Sequence, residues 1–336
     1  MKIAMLLPPN ISGSANGIHT QARTWGGALE ALRHKVDYIS PWGDYNWSEY
    51  DIIHFFSYGP FLEMAGALHG ITSAKIFLSP IIDTNRSFLA QRLASHVAIK
   101  ALHMRSPLNY IRRSDDFISK YLARSKYEKN YLIRSFGVSP SRIDLIKLPI
   151  RFSGDTTGLE RQRERFCLHV SILSSKNKNV MRLIQAAQKY DFKLVLAGKV
   201  TDPDFLKRLE GACRKSNNVV LKSYLTNDQL VSLYKKAAAF ALPSLYEGVG
   251  LVALEAAYYG ADVVLTNRGG PKEYYNDLAF LVDPLNVDEI GSAVRKVLDG
   301  ESRQPALREH IIETLNPNRS AAELLHSYTS TLQSQR

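Results

Sequence analysis

The sequence predicts an α/β protein built from two parallel-sheet domains. Three observations predict it. The chain has 336 residues, enough for two domains of ordinary size. Short apolar runs alternate with helical periodicity from end to end, the pattern of parallel sheets covered by helices. Midway, the stretch 149–164 loses apolar periodicity, and Gly154-Asp155-Thr156-Thr157-Gly158 runs into Glu160-Arg161-Gln162-Arg163-Glu164, which reads as a linker.

The elements follow in order. Met1-Lys2-Ile3-Ala4-Met5-Leu6-Leu7-Pro8-Pro9 is too short an apolar run for a signal peptide and ends in two prolines, so 3–7 is expected as a buried strand. Further strands are expected at 36–39, 52–56, 75–78, 117–118 and 144–147, with helices near 17–32, 61–68, 88–103 and 126–136. Beyond the linker, strands are expected at 167–171, 193–197, 219–221, 239–242, 263–266 and 279–282. Helices fill 180–189, 204–215, 226–237, 252–259, 273–275 and 287–298, and 320–332 is a final helix candidate. The domains then span 1–150 and 165–319, with 320–336 as a terminal helix. Ligands of such sheets bind at the carboxyl ends of the strands.

Composition narrows the class. The chain is 45% apolar and 22% charged, as a globular protein is. No run approaches the roughly 18 apolar residues of a membrane span. Cys167 and Cys213 have no metal-type spacing, so neither a disulfide framework nor a zinc site is expected, and a reducing compartment is. The net charge of +11 is uneven: 86–147 holds 13 Lys or Arg against four Asp or Glu. Within it, Arg92, Lys100, Arg105, Arg112 and Arg113 alternate with Phe88, Leu89, Leu93, Val97, Ile99, Leu102, Met104, Leu108, Tyr110 and Ile111. That pattern suits attachment to an anionic membrane surface, and equally ordinary domain helices with solvated margins. A basic patch also suits nucleic acid, but no helix-turn-helix, zinc-finger or RNA-recognition signature accompanies it, so none is expected as a partner.

The most informative stretch is Pro243-Ser244-Leu245-Tyr246-Glu247-Gly248-Val249-Gly250-Leu251-Val252-Ala253-Leu254-Glu255-Ala256. On one helix the two glutamates would sit roughly 80° apart, so they form no single acidic face. The run makes sense if Glu247 stands in a loop and Glu255 one to two turns into the following helix. Gly248 and Gly250 then bring backbone N–H groups close to a ligand at a helix N-terminus. Carboxylates for hydroxyls and N–H groups for phosphate together suit a phosphorylated polyol.

The whole run resembles the signature of the retaining GT-B glycosyltransferases of family 4, roughly P-S-x-x-E-G-F-G-L-x-x-x-E-A, with Val249 where Phe is usual. The resemblance implies a GT-B fold of two Rossmann-like domains facing a cleft, whose last helix crosses back to the N-terminal domain. It implies that Glu247 touches the donor sugar and Glu255 holds the ribose hydroxyls. It implies that the N–H groups of Val249, Gly250 and Leu251 serve sugar and phosphate. A solvated loop carboxylate at Glu247 and a paired helix carboxylate at Glu255 are the alternatives. The family clamps its diphosphate with G-R-x-x-x-x-K-N. Here Val170-Ser171-Ile172-Leu173-Ser174-Ser175-Lys176-Asn177-Lys178-Asn179 keeps the K-N end at Lys178-Asn179 but holds Ile172 or a neighbour at the arginine position. Lys176 is the substitute candidate, and a solvated basic loop the alternative.

Other matches are shorter. Asn16-Gly17, with Gly13 second, stands for the glycine loop that meets the donor phosphate from the N-terminal domain. Leu78-Ser79-Pro80-Ile81-Ile82-Asp83 keeps the family's Ser-Pro but has Ile81 where a histidine is usual. Asp83 is the acceptor-contact candidate there, with an N-cap for the next helix as the alternative. Asn267-Arg268-Gly269-Gly270-Pro271-Lys272-Glu273 resembles G-G-x-x-E, and Tyr224 lies where the family holds the base, or else is a packed aromatic. His54 with Asp51 matches a family D-x-x-H. Asp202-Pro203-Asp204 is better a helix cap than a metal site.

The resemblance implies a metal-independent, cofactor-free retaining glycosyltransferase. It would move a hexose or N-acetylhexosamine from a nucleotide sugar, expected to be UDP-linked, to a polyprenyl-diphosphate-linked saccharide of O-antigen type. The enzyme would be cytoplasmic, on the inner face of the membrane. A degenerate relative that binds nucleotide sugar or glycan without catalysis is the alternative.

Overall fold

The computed structural model describes residues 1–9, 17–40, 42–84, 86–96, 98–99, 104–105, 109–150, 163–223 and 225–334. The chain divides into two units, Met1–Arg151 with Leu315–Arg336, and Phe152–Thr314.

The first unit opens with β1 (Lys2–Leu6), α1 (Gly17–Ala31), β2 (Lys35–Ile39) and β3 (Ile52–Phe56). It continues through α2 (Met64–Ile71), β4 (Lys75–Ser79), α3 (Phe88–His96) and the short pair β5 (Ala98–Ile99) and β6 (Met104–Arg105). Then come α4 (Asn109–Ser114), β7 (Lys120–Ala123), α5 (Lys126–Tyr131) and β8 (Ile143–Leu145). The main sheet is parallel, in the order β2-β1-β3-β4-β7-β8. Inside such a sheet a central strand is covered on both faces, and β3 is buried at every position.

The second unit repeats the plan. β9 (Glu164–Val170), α6 (Val180–Lys189), β10 (Leu194–Ala197), α7 (Pro203–Arg214) and β11 (Val219–Lys222) come first. α8 (Asn227–Lys236), β12 (Ala237–Leu242), α9 (Leu251–Tyr258), β13 (Asp262–Thr266), α10 (Pro271–Tyr275), β14 (Phe280–Val282), α11 (Val287–Leu298) and α12 (Ala306–Thr314) follow. The order is β11-β10-β9-β12-β13-β14, again parallel. The strand order reverses between β9 and β12, which puts the loops after those two strands side by side.

The final helix, α13 (Pro317–Gln333), groups with the first unit. Polar bonds fix it there: Ser320 Oγ donates to the Lys147 carbonyl at 3.0 Å and Ser327 Oγ to Asp144 at 2.6 Å. Tyr328 hydroxyl lies 2.7 Å from His54 Nδ1, and His54 Nε2 lies 2.9 Å from Ser79 Oγ. Burial holds His54 neutral, pushing its pKa down to about 3.

Three expectations need correction. The strand expected at 117–118 lies at Lys120–Ala123, and Asp115–Phe117 is a single 3-10 turn. Asp115 is the first residue of that turn, and its carboxylate accepts from the Tyr121 hydroxyl and pairs with Arg142. The helix expected at 88–103 stops at His96, and the antiparallel pair β5–β6 follows. Its apolar and basic residues fit a helix's period and a strand's alternation about equally over so short a run. Finally, α12 was missed: Ala306-Leu307-Arg308-Glu309-His310-Ile311-Ile312 has the period, but the polar run before it reads as loop.

Candidate functional site

In the second unit the residues singled out by the sequence converge at the carboxyl ends of β9 and β12. The loop after β9 tightens into a 3-10 turn, Lys176–Lys178, and Asn179 takes the left-handed conformation (φ 57°) that asparagine tolerates well. Asn179 thereby caps α6, and its amide donates to the Pro243 and Pro284 carbonyls at 2.9 and 2.7 Å. Asn177 ties the same turn to the loop after β12. Its side chain donates to the Tyr246 carbonyl at 2.8 Å, and its carbonyl accepts from Leu245 N–H at 2.7 Å.

This stitching brings Lys178 to Glu247. The ammonium lies 2.6 Å from Glu247 Oε1, with both side chains largely buried. Glu247 is pinned from the other side by an isolated parallel bridge to Gly269. Gly269 has φ 101°, and a Cβ there would run into the Glu247 carbonyl. Only glycine fits.

Gly250, at φ 81°, is the N-cap of α9. Its carbonyl accepts from Ala253 and Leu254 N–H and from the Tyr275 hydroxyl at 3.0 Å. The N–H groups of Val249, Gly250 and Leu251 meet no acceptor among the described residues. Three unpaired N–H groups at a helix N-terminus beside a lysine–glutamate pair form an anion-receptive corner. The Val249 side chain is buried, so the position where the family has Phe serves packing and leaves its backbone for the site.

Glu255 sits in the second turn of α9 and is 2% exposed. Its carboxylate accepts from the Tyr234 hydroxyl at 3.0 Å. The buried Tyr275 phenol senses both glutamates: burial first, then Glu247 and Glu255, holds its proton on. Burial likewise holds His169 neutral, with a pKa pushed down to about 4. Its Nδ1 lies 2.8 Å from the Ala241 carbonyl and its Nε2 2.7 Å from Ser171 Oγ.

The other expected residues distribute as follows. Lys176 is exposed on the same 3-10 turn as Lys178, and Ile172 is 51% exposed at the edge where an arginine was expected. Gly248 is buried in the turn, and Leu251 is half-buried. Asp202 caps α7, accepting from Asp204 and Phe205 N–H, as its sequence suggested. Gly17 opens α1 in the first unit, but Gly13 and Asn16 lie outside the described residues, as do Tyr224 and Lys100. Arg112 donates to the Ser135 carbonyl at 2.9 Å, and Arg113 pairs with Glu63 at 2.7 Å. Arg92 is exposed on α3 between the exposed Leu89 and Leu93, and Arg105 lies on β6.

Asp83 belongs to the first unit, past the end of β4. It caps no helix, since Ser87 accepts from Ala90 N–H ahead of α3; it pairs instead with Arg124 at 2.9 Å. Sequence reasoning singled out Asn179 with Lys178 but missed Arg124, Asn177 and Tyr275, and Arg124 had no signal in the sequence.

Residues 157–314 match the family model described as glycosyl transferases group 1. The second unit resembles a group 1 glycosyltransferase domain. The match ends where that unit ends and takes in both the Lys178 turn and the Glu247 turn. An uncharacterised glycosyltransferase of Methanocaldococcus jannaschii is 35% identical over 40% of this chain and 36% of its own length. O-antigen chain mannosyltransferase B of Escherichia coli is 26% identical over 57% of this chain and 55% of its own. The chain thus spans about a third to a half of these curated relatives. The Anabaena protein Alr3699/HepE, solved in complex with UDP-glucose, matches with a TM-score of 0.72 at 16% identity over 98% of this chain and 99% of that one. The architecture is the GT-B fold.

Proposed function

We propose that the protein is a retaining glycosyltransferase that moves a hexose or N-acetylhexosamine from a nucleotide sugar to a lipid-diphosphate-linked saccharide. The observation that carries the reading is the Lys178–Glu247 pair beside the unpaired N–H groups of Val249, Gly250 and Leu251. Lys178 and the helix N-terminus neutralise charge that develops on a leaving diphosphate. Lys176 adds a second, exposed cation. Glu247 accepts from donor sugar hydroxyls, and Glu255 from the ribose. Gly248 belongs to the same turn as Glu247, and Gly17 and Tyr224 are donor-contact candidates on the family resemblance alone. No metal is required, because cationic side chains and N–H groups supply the neutralisation.

The acceptor side lies in the first unit, with Asp83 as its hydroxyl contact. The exposed Leu89, Arg92 and Leu93 of α3 support attachment to an anionic membrane surface, with Lys100, Arg105, Arg112 and Arg113 adding charge. No helix among the described residues is long and apolar enough to cross a membrane. The name of the Escherichia coli relative supports an O-antigen-type acceptor. We place the enzyme on the cytoplasmic face.

One observation favours a second reading. Ile172, not arginine, stands exposed at the diphosphate edge, as it would in a relative that binds nucleotide sugar without turning it over. A single assay separates the two. The protein is incubated with UDP-linked sugars and GDP-mannose, each with an undecaprenyl-diphosphate-linked saccharide, with and without EDTA. Transfer with retention at the anomeric carbon, unaffected by EDTA and lost in Glu247→Ala, is expected. Nucleotide binding without transfer would establish the second reading.

A further inference from the structure

The first unit carries a buried charge cluster that the donor site does not use. Glu128, in the first turn of α5, is 2% exposed. Its Oε1 accepts from Ile82 N–H at 2.6 Å and from Arg124 Nη2 at 3.0 Å. Its Oε2 accepts from Arg124 N–H at 2.8 Å and Arg124 Nε at 3.0 Å. The Arg124 side chain, 7% exposed, is therefore locked in a two-pronged grip, and its Nη2 also reaches Asp83 Oδ1 at 2.9 Å. Asp83 itself is 52% exposed. Its Oδ2 makes no hydrogen bond among the described residues.

Buried ion pairs are poor stabilisers, because desolvation offsets the attraction. Glu128 alone would neutralise Arg124. The second carboxylate, half in water, is surplus to that need. The chain also accepts backbone strain here. Ile81, β-branched, takes φ 53°, and the next N–H is the one Glu128 holds. Burial first, then the charges of Asp83 and Glu128, raises the pKa of the Tyr58 phenol past the end of β3, with Arg86 opposing. A carboxylate oxygen held from behind by a buried arginine, at the carboxyl ends of β3, β4 and β7, is suited to accept from a sugar hydroxyl.

We propose that Arg124 is the positioning residue of the acceptor site, clamped by Glu128 so that Asp83 presents its second carboxylate oxygen to the acceptor hydroxyl. This rests on the reading of Asp83 as the acceptor contact. Arg124 touches no substrate; it acts through Asp83.

A double-mutant cycle on the full-length protein tests it. Asp83→Asn, Arg124→Gln and the double variant are assayed with the donor that supports transfer, for acceptor KM, donor KM and donor hydrolysis by water. Asp83→Asn should raise acceptor KM about tenfold and leave donor KM and hydrolysis unchanged. Arg124→Gln should do the same, and the double variant should be no worse than either. Arg124→Lys keeps the charge but not the fork, and should restore only part of the acceptor affinity. Additive effects, or an unchanged acceptor KM, overturn the inference. If Arg124→Gln fails to fold by circular dichroism, Asp83→Asn against Arg124→Lys decides on the same readouts. If the wild type turns over no donor, the proposed function fails. The cycle is then read by calorimetric titration of an undecaprenyl-diphosphate-linked saccharide, where equal affinity in all variants overturns the inference too.

Discussion

The two units place their polar clusters at the same end of the same kind of sheet, yet build them in different ways. In the second unit the corner around Glu247 is made by backbone: a left-handed asparagine, two positive-φ glycines and carbonyls stitched by Asn177 and Asn179. In the first, the cluster around Arg124 is made by side chains drawn from positions 41 and four residues away. A backbone-built site needs particular residues at fixed spacing, so it leaves a contiguous motif. A side-chain-built site needs only that three charged groups meet, which many arrangements of the sequence satisfy.

That difference makes the units break differently. The largest effect is expected in the first unit. Glu128→Ala strands the buried Arg124 charge and should cost about 3–5 kcal/mol of stability, read by urea denaturation. Glu128→Gln keeps the shape and should cost less. If both fall within 0.5 kcal/mol of wild type, a range typical of surface changes, the cluster is not the locked unit described.

Next is Gly269→Ala in the second unit. The added Cβ meets the Glu247 carbonyl, and an L-residue at a left-handed backbone costs about 1–2 kcal/mol before that collision is counted. Gly250→Ala meets only ordinary van der Waals neighbours, so it should lose less stability. Equal losses would mean that the bridge between Glu247 and Gly269 is not what fixes this turn.

A smaller effect tests what the units share. Each places a neutral histidine beside a serine at the end of a central strand: His54 with Ser79, and His169 with Ser171. Burial lowers both, to about 3 and about 4. Below the ordinary histidine value the unfolded chain binds a proton that the native chain refuses, so stability is full near pH 7 and falls as pH drops. Each histidine should account for about 2 kcal/mol of loss between pH 7 and pH 5. His54→Gln and His169→Gln should each remove one proton from the slope of stability against pH over that range. A slope unchanged in both variants would show that the histidines are not held neutral.

The legibility of the molecule follows the same division. Central strands were plain in the sequence because burial on both faces leaves apolar runs, as at Ile52–Phe56. The Glu247 turn was legible because its residues are contiguous and Gly250 answers a backbone demand. The strand at Lys120–Ala123 was misplaced by a few residues because Phe117-Ile118 is as apolar as the strand itself, while Phe117 closes the 3-10 turn Asp115–Phe117. Arg124 was invisible because nothing beside it in the chain announces Asp83, and Glu128 reads as one more helix carboxylate. Lys178 and Glu247 were each found, but not their pairing: the ion pair spans 69 positions and is set by the parallel sheet.

The central claim is that the Lys178–Glu247 corner, and not the Arg124 cluster, binds the donor's diphosphate. Calorimetric titration of UDP and of GDP into wild type, Lys178→Ala and Asp83→Asn tests it most directly. The account predicts that whichever nucleotide binds wild type binds Lys178→Ala at least about tenfold more weakly, and binds Asp83→Asn with unchanged affinity. Equal affinity in Lys178→Ala, or a loss confined to Asp83→Asn, would contradict it.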